Sequence, residues 1–165
     1  MNPETRLFID GELCAAASGK TYANINPATE EVMGQVADAG PADMDRAIAA
    51  ARRAFDETDW STNHAFRLKC LQQLQQGLRA VQEDFKQQIA AETGSPIALC
   101  GTMGPQCEMP INFMDYTLQS LPGYEWSRDI GIAELMGIRS RRLVEKEAVG
   151  VVACITPWNV PLQIN

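Results

Sequence analysis

Thr156-Pro157-Trp158-Asn159-Val160-Pro161, close to the end of a 165-residue chain, is the stretch whose residue types converge on chemistry. An asparagine offers a neutral amide that can donate to a developing oxyanion without carrying a proton that could be lost. Trp158 offers a broad apolar face. Pro157 ends any ladder pairing and biases Thr156 toward an extended backbone. Just before this block, Val151-Val152-Ala153-Cys154-Ile155 is continuously apolar. Such a run predicts a strand buried on both faces, of the kind that helices cover in parallel sheets. Ligands of open α/β sheets bind off the carboxyl ends of such strands, so an aromatic, an amide and two prolines stand where a site belongs.

The block resembles the segment of the aldehyde dehydrogenase superfamily in which the first nucleotide-domain strand runs into a Pro-Trp-Asn-aromatic-Pro turn. The resemblance continues in order along the chain, through the helix Asp45-Arg46-Ala47-Ile48-Ala49-Ala50-Ala51-Arg52-Arg53-Ala54-Phe55 and through Glu92-Thr93-Gly94-Ser95-Pro96. It implies an NAD(P)-dependent oxidoreductase that converts an aldehyde to a carboxylic acid through a cysteine thioester. Asn159 would be catalytic, as half of the oxyanion hole. Thr156, Pro157, Trp158 and Asn159 would contact NAD or NADP. In the family the catalytic cysteine, the general-base glutamate, the ribose-binding lysine and the pyrophosphate loop all lie beyond the position of Asn165. The chain is therefore expected to be an amino-terminal fragment, inactive alone, of a homodimeric or homotetrameric cytoplasmic enzyme. A truncated interaction module or dominant-negative subunit is the alternative. Val160 stands where the family usually has an aromatic, which removes area from one wall of the substrate site. By the same resemblance, the helix carrying Met114, Tyr116 and Leu118 borders the substrate entrance, though a helical stripe of this kind is more often core than tunnel lining. Glu92 matches a position whose backbone binds a structural monovalent cation, though an acidic residue in a helix's last turn is usually solvated.

Composition narrows the partners. A formal charge of −7 disfavours nucleic acid, since phosphate binding needs a positive surface. The cationic cluster Arg139-Ser140-Arg141-Arg142 is followed at once by Glu145 and Glu147 and reads as a solvated strand face. No apolar run approaches the ~18 residues of a membrane span, and no signal-peptide core follows Met1. The five cysteines are odd in number and form no Cys-x-x-Cys pair, which predicts reduced thiols and no metal site. Cys154, inside the apolar run, reads as a small core residue rather than a nucleophile. His64, the single histidine, has no partner for acid–base work and reads as a surface or capping residue.

The elements that must carry the site follow from pattern. Asp10-Gly11 predicts a hairpin, and Asn26-Pro27-Ala28-Thr29 a turn between strands over 21–25 and 31–36. Gly40-Pro41 should open a helix with Met44, Ala47, Ile48, Ala51 and Phe55 inward. Ser61 should cap a second, with Ala65, Leu68, Leu71, Leu74 and Leu78 buried. A third should run from Gln82 to Glu92 and close at Gly94-Ser95-Pro96. Gly101 to Leu121 carries a helical stripe that Pro105 and Pro110 should delay or kink. The fold class is then α/β: amino-terminal hairpins and helices leading into the first strand of an incomplete Rossmann-like nucleotide domain. Residues 1–136 would form its amino-terminal part, 137–149 an extended oligomerisation arm, and 150–165 the strand and its turn.

Overall fold

Asp10 and Gly11, with φ of 57° and 80°, close the hairpin between β1 (Leu7–Ile9) and β2 (Glu12–Cys14), as a two-residue Asp-Gly turn requires. The computed structural model describes residues 4–102 and 104–164. A second antiparallel pair joins β3 (Thr21–Ile25) to β4 (Val32–Ala37). Its turn is organised by Asn26, whose side-chain oxygen accepts the N–H groups of Ala28 (2.9 Å) and Thr29 (3.3 Å).

Helix α1 (Pro41–Glu57) begins where the Gly-Pro pair places it. Asp43 does more there than complement the helix dipole. Its buried carboxylate accepts the Gly40 N–H (3.0 Å) and, across the chain, the Ala17 N–H (3.0 Å). The Gly40 bond above all, with that of Ala17 and the Arg46 charge, holds this carboxyl below its ordinary pKa. The expected apolar face of α1 is only partly covered: Ala47 and Phe55 are half-buried and Ala51 is exposed. Met44 and Ile48 are exposed, with none of the described residues covering them.

Helix α2 (His64–Ala80) starts later than expected. Asp59–Ser61 forms a short 3-10 turn that absorbs Ser61, and Asn63 caps the helix instead, accepting the Phe66 N–H at 2.9 Å. Leu68, Leu71 and Leu78 are half-buried, whereas Ala65 and Leu74 are exposed. Helix α3 (Gln82–Thr93) ends at Gly94 in the left-handed conformation, φ 69°. A Cβ there would meet Pro27 Cγ at 2.9 Å, so the glycine also admits the first turn of the 26–29 loop. A 3-10 turn over Ile97–Cys100 and a loop through Pro105 delay α4 to Glu108–Ser120. Pro110 falls in its first turn, where a missing N–H removes no helical bond, so no kink is needed.

The core is small: Ile89, Cys100, Cys107 and Ile111 are fully buried, with Leu78, Phe85, Ala90 and Leu162 against them. Gln75 pins α2 to α4, its Nε2 donating to Ile111 O (3.0 Å) and Asp115 Oδ1 (2.8 Å).

Two departures concern the carboxyl-terminal third. Extended chain begins at 127 rather than 137: β5 (Ser127–Leu135) pairs antiparallel with β6 (Ile138–Glu145) through a turn at Met136-Gly137, φ 52° and 78°. A bulge at Ile130-Gly131, with Gly131 at φ 83°, breaks the alternation that would have announced β5. The second departure is Val151–Ile155, which forms no strand and is not buried; Ile155 is 94% exposed and Cys154 is exposed too. Each of the three sheets among the described residues is a self-paired two-stranded hairpin. None offers a parallel edge to receive the apolar run, and the expected burial of Cys154 fails with it.

Candidate functional site

The Pro-Trp-Asn segment is fastened from both sides while its functional groups stay outside. Residues 158–163 are a chain of turns, with the Gln163 N–H on Val160 O at 3.1 Å. Leu162 inserts beside the core cluster and holds the far end. At the near end, Gln106 Nε2 donates to the main-chain oxygen of Asn159 at 2.7 Å. That contact fixes the backbone of Asn159 and spares its side chain: among the described residues, none takes up the Asn159 amide. Trp158 is 75% exposed, Pro157 is exposed and Thr156 is half-buried.

The four residues singled out by sequence therefore sit together in one open turn. Thr156 and Asn159 contribute neutral hydrogen-bonding groups, and Trp158 an unobstructed indole face. Such a set fits the ribose and nicotinamide end of a dinucleotide better than its pyrophosphate, because no cation stands among them. The described residues contain no group of three or more His, Cys, Asp or Glu side chains placed to hold a metal. No described helix is long and apolar enough to cross a membrane.

Beside the turn lies an apolar groove of about 640 Å³, bounded by Leu71, Leu74 and Leu78 of α2, Met114 and Leu118 of α4, and Leu162. Its size is that of a small-molecule site. Met114 and Leu118 thus share a wall, but Tyr116 is 79% exposed on another side of α4 and does not join them. Glu92, whose backbone the resemblance linked to a cation, has its side-chain carboxylate occupied by Asn24 Nδ2 (3.3 Å) and Gln88 Nε2 (2.8 Å). His64 is neither a free surface residue nor the cap. Its ring stacks on Trp126, centroids 3.8 Å apart and planes 11° from parallel, with Arg67 against its Nδ1. That stack joins α2 to the root of the β5–β6 ribbon, and Lys146 lies over the neighbouring Tyr124 ring at 4.2 Å.

Gln106 is the residue that pattern reading missed. Between two prolines it looks like ordinary loop polarity, and only its burial, at 5% exposure, and its reach to residue 159 give it a role.

Comparison with known proteins shows the family and the fold. The model of the aldehyde dehydrogenase family matches residues 14–165. A putative aldehyde dehydrogenase of Staphylococcus aureus (strain bovine RF122 / ET3-1) is 35% identical over 161 residues, covering 98% of this chain and 31% of that protein. Among solved structures, a Mycobacterium tuberculosis aldehyde dehydrogenase complexed with NAD+ superposes with a TM-score of 0.84 at 31% identity, covering 97% of this chain and 32% of the other. An indole-3-acetaldehyde dehydrogenase of P. syringae, in complex with NAD+ and IAA, gives 0.82 at 32% identity, with 98% and 31% coverage. The chain spans about 31% of the length of the curated relatives it matches.

Proposed function

The chain belongs to the aldehyde dehydrogenase family, and on that premise we propose that it supplies the amino-terminal portion of an enzyme oxidising an aldehyde to a carboxylic acid. The catalytic thiolate and the water-activating base would come from the part of the family fold outside these 165 residues. What this chain would contribute is the Asn159 amide. When a thiolate adds to the aldehyde carbon, negative charge develops on the former carbonyl oxygen, and an NH2 donor aimed at that oxygen lowers the barrier. Nicotinamide dinucleotide, when bound, supplies the hydride acceptor. Thr156, Trp158 and the main chain around Asn159 would hold its ribose side.

The observation that carries this reading is the Asn159 backbone, fixed by Gln106 and Leu162, with its side-chain amide taken up by none of the described residues. A donor that stabilises a transition state needs its N–H groups available, and a fixed main chain narrows the directions its side chain can take. In the active protein, Asn159→Ala should lower kcat by about 10²–10³ while leaving dinucleotide binding near its original level. Unchanged turnover with an aldehyde would remove the assignment.

Three finer points belong to the same proposal. The cofactor is NAD or NADP; the NAD+ complexes of the M. tuberculosis and P. syringae relatives favour NAD. The β5–β6 ribbon, whose tip residues Leu135, Met136 and Ile138 are exposed, would serve as an arm in a homodimer or homotetramer. All five cysteines are unbridged, in keeping with a reducing cytoplasmic setting.

A further inference from the structure

We infer that Gln106 is a positioning residue for the oxyanion donor: its buried amide sets the backbone of Asn159 and thereby the direction of the Asn159 side chain. The inference rests on the oxyanion role proposed for Asn159 and assigns to this chain the part that makes the role work.

The geometry is specific. Gln106 Nε2 donates to Asn159 O at 2.7 Å and to Ser95 Oγ at 3.0 Å, so one NH2 group spans the end of α3 and the catalytic turn. Its orientation is fixed by chemistry, since a carbonyl oxygen can only accept and must face the nitrogen end of the amide. The remaining atom, Gln106 Oε1, is buried and has no partner among the described residues. An unpartnered buried acceptor is unfavourable, and glutamine tolerates it here because the other end of the amide makes two bonds.

The loop that delivers Gln106 is equally constrained. The Gln106 N–H is held by Leu99 O at 3.2 Å and the Gly104 N–H by Gly101 O at 2.9 Å. A Cβ on Gly104 would overlap the backbone of Leu99, so only glycine lets the loop fold back on the 3-10 turn. Cys107, next in sequence, is fully buried and aims its thiol at Gln82 O, 3.7 Å away. The loop is thus locked at its base and extends one amide toward residue 159. Leu162 holds the other side of the turn by packing, which is non-directional, and the hydrogen bond from Gln106 adds a directional contact to the Asn159 main chain.

The test is a double-mutant cycle in the active protein that contains this chain. Gln106→Met keeps the length and removes the donor. We expect kcat to fall roughly 10- to 100-fold, the scale of a misplaced catalytic group, with KM for the dinucleotide within about twofold. In an Asn159→Ala background the same change should have almost no further effect on kcat, because the group it aims is gone. If Gln106→Met lowers kcat equally in both backgrounds, or lowers only thermal stability, the positioning role is wrong. If Asn159→Ala itself leaves kcat intact, the underlying oxyanion reading fails instead, and the two failures are distinguishable. Gln106→Glu covers the case in which the methionine variant does not fold. An ionised carboxylate opposes the Asn159 carbonyl, but a protonated one donates to it, so activity relative to wild type should rise as pH falls. A pH-independent ratio would overturn the proposal.

Discussion

Expressed without the rest of the family fold, these 165 residues should self-associate instead of behaving as a compact monomer. The surface area sets the magnitude. A folded 18.1 kDa monomer is expected to expose about 8,100 Å², whereas this fold exposes 11739 Å². The surplus of roughly 3,600 Å² on this chain alone exceeds one partner's share of an obligate interface, about 1,000–2,500 Å². The exposed side chains identify where it lies. Ile132, Leu135 and Ile138 on the ribbon, and Val152 and Ile155 on the unpaired run, are each more than half exposed. Each forgoes about 1.5–3 kcal/mol of burial, together roughly 8–15 kcal/mol, as large as the net stability of a whole domain, about 5–15 kcal/mol. Light scattering after size exclusion should therefore report oligomers or aggregates, with strong binding of a hydrophobic dye. Supplying the remaining family elements in the same cell should yield a soluble assembly with the dye signal lost. A monodisperse 18.1 kDa species with one cooperative thermal transition would refute the reasoning, because it would mean that this surplus of apolar surface is tolerable in water.

Other expectations concern the internal packing and are read in the assembled protein. Ile111→Ala should destabilise by about 2–5 kcal/mol, since Ile111 is 1% exposed at the meeting of α2, α3 and α4, and a thermal melt checks it. Asn63→Ala should remove about 1 kcal/mol through loss of the α2 cap, with little change in kcat. In the isolated chain, thiol labelling should modify Cys154 first and leave Cys100 and Cys107 until unfolding, because burial both shields the latter two and pushes their pKa values up. The Lys86–Glu108 pair gives a pH signature. Lys86 holds the Glu108 carboxyl below its ordinary pKa, helped by Thr102, while Glu108 and then Glu83 raise the Lys86 ammonium. The carboxylate's contribution is present above about pH 4.3 and disappears as pH falls through its lowered value. The ammonium's is present below about pH 10.4 and disappears as pH rises through its raised one. Lys86→Met should flatten the pH dependence of stability at both edges of that window; an unchanged profile would count against the pair.

What the sequence made legible was whatever is decided by a few adjacent residues. Asp10-Gly11, Asn26-Pro27, Gly40-Pro41 and Gly94-Ser95-Pro96 each carry their own backbone geometry, and each turn or helix end appears where its residues place it. The Pro-Trp-Asn block is local in the same sense, and its residues do leave the regular structure there. Burial was the part that failed, because burial needs a partner. Met44 and Ile48 have helical spacing and Val151–Ile155 the composition of a central strand, yet all need surfaces that these residues do not supply. Strand β5 was hidden by a bulge, and the Asn63 cap was hidden by a competing serine two positions earlier. Gln106 was beyond reach of any pattern, since its meaning lies in a contact 53 residues away.

The contrast between the loose pentad and the fastened turn bears on how the site forms. Val151–Ile155 gains its partners only from outside, but residues 159 and 162 are already tied to the core by Gln106 and Leu162. A dinucleotide domain docking onto this chain would thus meet a turn whose backbone is set and a strand that is free to pair. On the role proposed for Asn159, fixing its turn first has a physical advantage. Ordering a backbone residue takes about 1–2 kcal/mol of entropy, and a turn ordered during folding of this chain does not draw that from cofactor or substrate binding. The reverse order, strand paired and turn free, would leave Asn159 to be aimed at each catalytic cycle. Loss of the Gln106 contact converts the first arrangement into the second, so its effect belongs in kcat and not in the amount of folded protein.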